Sequence, residues 1–248
     1  MSDDHDPYEG IADSYDQTFK LVPSREHVEA YTLRRLLGDL AGLSVLDLAC
    51  GTGIFTRTMR RWGAARVLGV DVSEDMVQVA RAHEEEDPLG VEYTMGDVTA
   101  LGDLGKFDCA VAIYLLSYAA SRESIVQMGR SILRNLKPGG RFLTYLLGPE
   151  VSRAPGYYRK YGFDYDFSET VRDGDLMQFS LTLGDTVMKL SAHYWDVETV
   201  TSAFEEAGFA GIRRVRPEVS EQGRTRYGSE HWEEFLRCPP SIFLECTS

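Results

Sequence analysis

The sequence predicts an α/β fold: a seven-stranded, mostly parallel sheet with helices on both faces and a small β-containing lid inserted late in the chain. Three observations predict it. Short apolar runs alternate with amphipathic helical patterns from Ser44 to Leu147, the rhythm of a parallel sheet. The first of these units ends its second strand in an acid, Asp71, after a glycine-containing turn between strand and helix. Beyond Gly148 the composition turns aromatic, and two alternating segments, Leu176 to Leu183 and Thr186 to Tyr194, meet at Gly184-Asp185, a hairpin signal.

In order along the chain, Met1 to Pro7 is charged and expected to fray. His27 to Leu40 carries apolar residues at helical spacing, with Arg25 and His27 near its start within reach of a bound ligand. Ser44 to Leu48 reads as a buried strand, Ala49 to Gly53 as a tight turn, Ile54 to Arg61 as a helix and Val67 to Val70 as a second strand. Glycine lets backbone approach a ligand, and the helix start offers unpaired N–H groups. An acid at the second strand end can accept both hydroxyls of a ribose, which makes Asp71 the ribose candidate.

The turn does not fit a dinucleotide. In the Gly-x-Gly-x-x-Gly pattern the third glycine would fall at Thr56 or Ile54, depending on register. Asp47, inside the strand ahead of the glycines, would repel a pyrophosphate and suits a ligand carrying an ammonium group.

Further along, Ser73 caps a helix running to about Glu84, with Glu74 and Asp75 in its first turn. Val91 to Met95 is a third strand, followed directly by Asp97. Phe107 to Ile113 is the central fourth strand, ending at Tyr114 to Tyr118, where ligands of open α/β sheets collect. Ser124 to Leu136 is helical, Lys137-Pro138-Gly139-Gly140 stops it, and Arg141 to Leu147 is the fifth strand. Asp196 caps a helix to Ala207, and strands near Gly211 to Arg216 and Ser241 to Glu245 complete the sheet. The loop between them, with Tyr227, His231 and Trp232, is long enough to hang over a site.

At 248 residues and 43% hydrophobic content the chain can bury one large core. The organisation expected is a cap over residues 1–30, a core formed by 31–148 and 196–248, and a lid over 149–195. Its 26 basic and 39 acidic side chains leave a formal charge of −13, which repels phosphate backbones and argues against nucleic acid as a partner. The dense basic cluster Arg213-Arg214-Val215-Arg216 reads as a solvated strand edge. The four cysteines show neither zinc-ligand spacing nor a disulfide framework. With no signal core and no apolar run approaching about 20 residues, the expectation is a soluble, cytoplasmic monomer or homodimer acting on a small molecule, without metal or membrane.

Asp47-Leu48-Ala49-Cys50-Gly51-Thr52-Gly53, Asp71 with Met76 after it, Gly96-Asp97-Val98, Phe107-Asp108 and Leu136-Lys137-Pro138-Gly139-Gly140 together resemble the successive motifs of class I S-adenosylmethionine (SAM) dependent methyltransferases. The resemblance implies a Rossmann-like core and SAM as cofactor, with S-adenosylhomocysteine (SAH) as its product. It implies that Asp47, Ala49, Gly51 and Gly53 contact the cofactor and Asp71 binds the ribose. Met76 would cover the adenine face, with Val72 also a cofactor contact, Asp97 would accept from the adenine amino group and the Val98 N–H would bond the ring. Tyr114 would lie beside the methionine part.

Tyr8 to Asp16 resembles the Tyr-x-x-Ile-Ala-x-x-Tyr-Asp element that small-molecule members fold over the cofactor, which implies contacts from Tyr8 and Tyr15. Substrate contacts are expected from Tyr118, Tyr158, Tyr194 and Trp195. Methyl transfer is an in-line displacement in which positioning and exclusion of water dominate, so no catalytic triad is required. Where a base assists, His193 ranks first because it ends a lid strand, with Tyr15 and Tyr194 as alternatives. The aromatic lid and the His193-Tyr194-Trp195 stretch are most similar to methyltransferases of secondary metabolism, including the toxoflavin-type N-methyltransferases, and imply an aromatic or heteroaromatic acceptor. Two rivals are a nicotinamide-dependent oxidoreductase, which would need a better third glycine and a Tyr-x-x-x-Lys pair that Tyr157 to Tyr161 does not supply, and a non-catalytic SAM-binding regulator, which would retain the cofactor residues without so rich a lid.

Overall fold

The computed structural model describes residues 16, 18, 19, 21–167 and 170–248. Its main sheet is built from β1 (Ser44–Leu48), β2 (Arg66–Asp71), β3 (Glu92–Met95), β4 (Phe107–Ile113) and β5 (Leu136–Leu147). A separate sheet holds β6 (Phe163–Asp166), β7 (Leu176–Leu183) and β8 (Thr186–His193), and the main sheet is completed by β9 (Ala210–Val215) and β10 (Ser241–Thr247). The seven-stranded order is β3-β2-β1-β4-β5-β10-β9. All pairs from β3 through β5 are parallel, while β10 runs antiparallel to both neighbours. The strand order reverses at β1, with β2 and β3 laid down on one side and β4 and β5 on the other, so the ends of β1, β2 and β4 open a crevice at the topological switch point.

Side-chain alternation distributes the core over both faces. Leu46, Leu48, Ala110 and Phe142 point to one side, where α4 (Arg122–Asn135) and α5 (Val197–Ala207) pack. Val45, Val67, Val111 and Leu143 point to the other, against α1 (Tyr31–Leu37), α2 (Ile54–Arg61) and α3 (Glu74–Glu86). Sequence and structure agree on the sheet, its helices and the hairpin at Gly184-Asp185.

Four local expectations are corrected. The first turn of the early helix, Arg25–Ala30, is a π-helix, a backbone choice with no residue signature of its own. The aromatic run after Tyr161 supplies β6, a third lid strand only four residues long, which pairs with β7 and covers its edge. The presumed loop before the last strand folds into α6 (Glu221–Tyr227) and α7 (Ser229–Arg237). Trp232 there is fully buried in a third cluster with Tyr158, Tyr161 and Phe163, so the lid rests on 217–237 and on Val22 and Val28 as well as on its own segment. As expected, β9 is an edge strand, and its arginines are paired: Arg214 with Glu198, and Arg213 with Glu245.

Candidate active site

Two adjoining cavities lie at the carboxyl ends of the strands. The larger, about 870 Å³, runs along the glycine turn from Asp47 to Met95 and Asp97. The smaller, about 70 Å³, lies between the main sheet and the lid. Arg25, Tyr114 and Tyr118 line both and form the passage between them.

The glycine turn is shaped by backbone. Ala49 and Tyr114 are the two non-glycine residues with positive φ among the described residues, at 53° and 68°, and both border the large cavity. Such conformations persist only where the surroundings enforce them, and they gather at ligand sites. Gly53 begins α2 at φ 84°, and a Cβ there would collide with the Tyr93 ring, so this position admits glycine alone. Gly53 does not itself line the cavity. It turns the chain so that Gly51, Thr52 and Ile54 do.

Four acids line this cavity, Asp47, Asp71, Glu74 and Asp97. Asp71 is buried and held from both sides: the Gly51 N–H donates to Oδ2 at 2.7 Å and the Ser73 N–H to Oδ1 at 3.0 Å. Those bonds fix the carboxylate between the turn and α3, where its remaining lone pairs can accept a diol. Asp97 accepts from the Thr99 N–H at 2.8 Å through Oδ1, capping a short 3₁₀ turn while bordering the cavity beside Val98. Asp47 sits at the floor, with the Thr56 hydroxyl donating to Oδ2 at 2.6 Å. Burial pushes its carboxyl up to about 7, with Asp71 nearby adding to the rise. A cation at this end of the cavity would favour its ionised form.

Val72 and Met95 are 69% and 50% exposed, large apolar residues at the rim of one crevice, and Met76 completes that wall. Apolar faces flanking an acid and a backbone N–H suit a purine, while the Asp71 end suits a ribose and the Asp47 end an ammonium. The residues present therefore fit SAM along the whole crevice. Tyr8 and Tyr15 lie outside the described residues. The segment next to them is anchored: Asp16 accepts from the Thr52 hydroxyl and lies 3.3 Å from His83 Nε2, and Phe19 packs edge-on to Phe55 against the same cavity.

The small chamber is walled by the rings of Tyr114, Tyr145, Phe163, Tyr165 and Phe179. His193 also lines it. Its Nδ1 lies 2.9 Å from the Gly174 carbonyl, which can only accept, so Nδ1 carries the proton and Nε2 is left as an acceptor. Sequence reasoning missed Glu29, which is 4% exposed and borders the chamber. The Tyr114 hydroxyl donates to its Oε1 at 2.7 Å, while Oε2 has no partner among the described residues. Burial raises its carboxyl above the usual range, and Arg25 opposes the rise. The signal available in the sequence was its place four residues after Arg25, which puts both on one helix face.

Three expected substrate contacts lie elsewhere. Tyr158 stacks on Phe163 within the lid core, its hydroxyl donating to the Cys238 carbonyl and accepting from the Ser152 N–H, each at 2.8 Å. Trp195 is buried in the main core and donates to the Ala119 carbonyl at 3.1 Å. Tyr194 packs against Arg153 and borders neither cavity. Of the four, Tyr118 alone faces them. Rings rich in area are used first to build the lid, and sequence position does not separate packing from display.

Residues 45–140 match the family model described as a methyltransferase domain. The chain is similar to a demethylmenaquinone methyltransferase of Lactococcus lactis, 30% identical over 212 residues, covering 83% of this chain and 81% of the relative. It is 37% identical over 111 residues to a ubiquinone biosynthesis O-methyltransferase of Xanthomonas oryzae, covering 44% of this chain and 45% of the relative. A SAM-dependent methyltransferase structure from Mesorhizobium loti superposes with a TM-score of 0.63 at 23% identity, covering 91% of this chain and 98% of that one. The chain belongs to the SAM-dependent methyltransferases, of the class I small-molecule type. SAM is its cofactor. No helix among the described residues is long and apolar enough to cross a membrane.

Proposed function

We propose that the protein methylates a nitrogen or oxygen of a small aromatic or heteroaromatic metabolite, in the biosynthesis of a natural product. The observation that supports this is the ring-walled chamber joined to the cofactor crevice through Arg25, Tyr114 and Tyr118. A chamber walled by rings suits a flat ring and excludes water, the condition under which displacement at a positioned methyl group is fast. The two relatives named for quinone pathways also point to ring substrates.

Bound SAM supplies an electrophilic methyl group on a sulfonium. In this reading Asp71 holds the ribose, Asp97 and the Val98 N–H hold the adenine, and Asp47 holds the ammonium. Tyr114 and Tyr118 line the passage through which the acceptor faces the methyl group, and His193 lines the lid wall of the chamber. Four free cysteines suit a reducing, cytoplasmic setting.

The test has two parts. Calorimetric titration with SAH reads the cofactor site. Incubation with SAM and a panel of phenols, hydroquinones and N–H heterocycles, read by mass spectrometry, should show a mass gain of one methylene in at least one ring compound. SAH bound tightly with every ring compound unchanged, and methylation of aliphatic acceptors instead, would refute the substrate class.

A further inference from the structure

We propose that Glu29 anchors the methyl acceptor and receives its proton. The proposal rests on the methyltransferase reading of this site and names a group within it. Glu29 Oε2 is a buried carboxylate oxygen with no partner among the described residues, on the wall of a chamber lined by rings and aliphatic side chains together with Arg25, His193 and three serines. A buried acceptor left unpaired is costly, and a donor on a ligand removes that cost.

Its other oxygen fixes its place. Oε1 accepts from Tyr114, and the Tyr114 ring lines both cavities, so Glu29 lies at the passage where a methyl group must cross. His193 is tied instead to Gly174, a residue of the lid.

The charged and titratable groups around Glu29 select the ligand. Arg25 lies on its own helix and supplies one positive charge, and Tyr114, Tyr145 and Tyr165 face it from the main sheet and the lid. All three phenols are pushed up by burial and stay neutral, so when Glu29 is ionised its charge and that of Arg25 cancel. A cationic amine would add a second positive charge beside Arg25 and next to the sulfonium. A neutral flat ring bearing an N–H or O–H does not, and its donor can meet Oε2. On transfer, the acceptor's electron pair forms the bond to the methyl carbon as the carbon–sulfur bond breaks, and the proton passes to Oε2. The sulfonium becomes a neutral thioether and Glu29 a neutral acid, which afterwards loses its proton to solvent.

The test uses the full chain loaded with SAH. Phenol, 2-naphthol, indole and benzimidazole are each titrated against their O- or N-methylated counterparts. Wild type should bind at least one donor about fivefold to tenfold tighter than its counterpart, the worth of one hydrogen bond. Glu29→Leu should abolish that difference while SAH affinity stays within about twofold.

Glu29→Gln retains a partner for Tyr114 and should melt near wild type. With SAM and a donor that wild type methylates, it should lose turnover about a hundredfold and also lose the acidic limb of the kcat/KM profile. His193→Ala should keep that limb. Absence of discrimination for all four donors overturns the proposal, as does a donor preference that survives Glu29→Leu in a normally melting protein. Loss of the limb in His193→Ala but not in Glu29→Gln would also overturn it. Failure of SAH itself to bind would instead sink the cofactor reading, so the two failures are distinct.

Discussion

Cofactor affinity should depend on pH through Asp47. In the ligand-free protein this carboxyl titrates near 7, because burial disfavours its charge. If only the ionised form meets the ligand's ammonium, the observed Kd scales as 1 + 10^(7 − pH), a factor of about 11 at pH 6 and about 1.3 at pH 7.5. SAH should therefore bind about eightfold tighter at pH 7.5 than at pH 6, or about 1.2 kcal/mol. Titration calorimetry in two buffers of different ionisation enthalpy measures both the affinity and the proton released, about half a proton at pH 7. Asp47→Asn keeps a partner for Thr56 but has no charge to regain, so its affinity should be weak and flat across the range. A Kd constant within about twofold between pH 6 and 7.5, or the same slope in the Asn variant, would refute the reasoning.

The sign for stability is opposite. A carboxyl raised from 3.8 to about 7 on folding costs the ligand-free protein stability as pH rises from about 4 to 7, and the whole cost is present above 7. Asp47→Asn should thus raise the melting temperature of the SAH-free protein at pH 8 and have little effect near pH 4. Asp71→Ala should weaken SAH binding by about 1–3 kcal/mol and lower the melting temperature, since the Gly51 and Ser73 N–H groups both lose their acceptor. An unchanged Kd would remove Asp71 from the site. Gly53→Ala should destabilise the fold by about 1–3 kcal/mol in urea unfolding, because it combines φ 84° with a clash on Tyr93. Tyr114→Phe should cost about 1–3 kcal/mol in the same assay, leaving Oε1 of buried Glu29 unpartnered as well. Stability equal to wild type would mean that water reaches Glu29.

The cofactor crevice was legible in the chain because it is made of local units. Three of the acids that border it, Asp47, Asp71 and Asp97, sit within a strand or just after one, and parallel pairing of β1, β2 and β4 fixes where those strand ends lie. Asp47 and Asp71 were thus readable as candidates from strand and turn patterns, and Asp97 as one from the resemblance to the methyltransferase motifs. The positive φ at Ala49 and Tyr114 carries no residue signature, since neither is a glycine, and came only from the structure.

The acceptor chamber was not legible. It is assembled from 22–29, the end of β4, β5, the lid strands and α7, which are distant in sequence and meet only when the lid is packed. Composition announced an aromatic lid, yet whether a ring faces the chamber or the lid core depends on which neighbours cover it, as Tyr165 and Tyr158 show. By itself the sequence determined the sheet, the nucleoside crevice and the family, through patterns repeated every few residues. Tertiary packing alone decided that Glu29 lies buried beside Tyr114 with one oxygen unpaired, because burial and partnering are properties of surfaces brought together from across the chain.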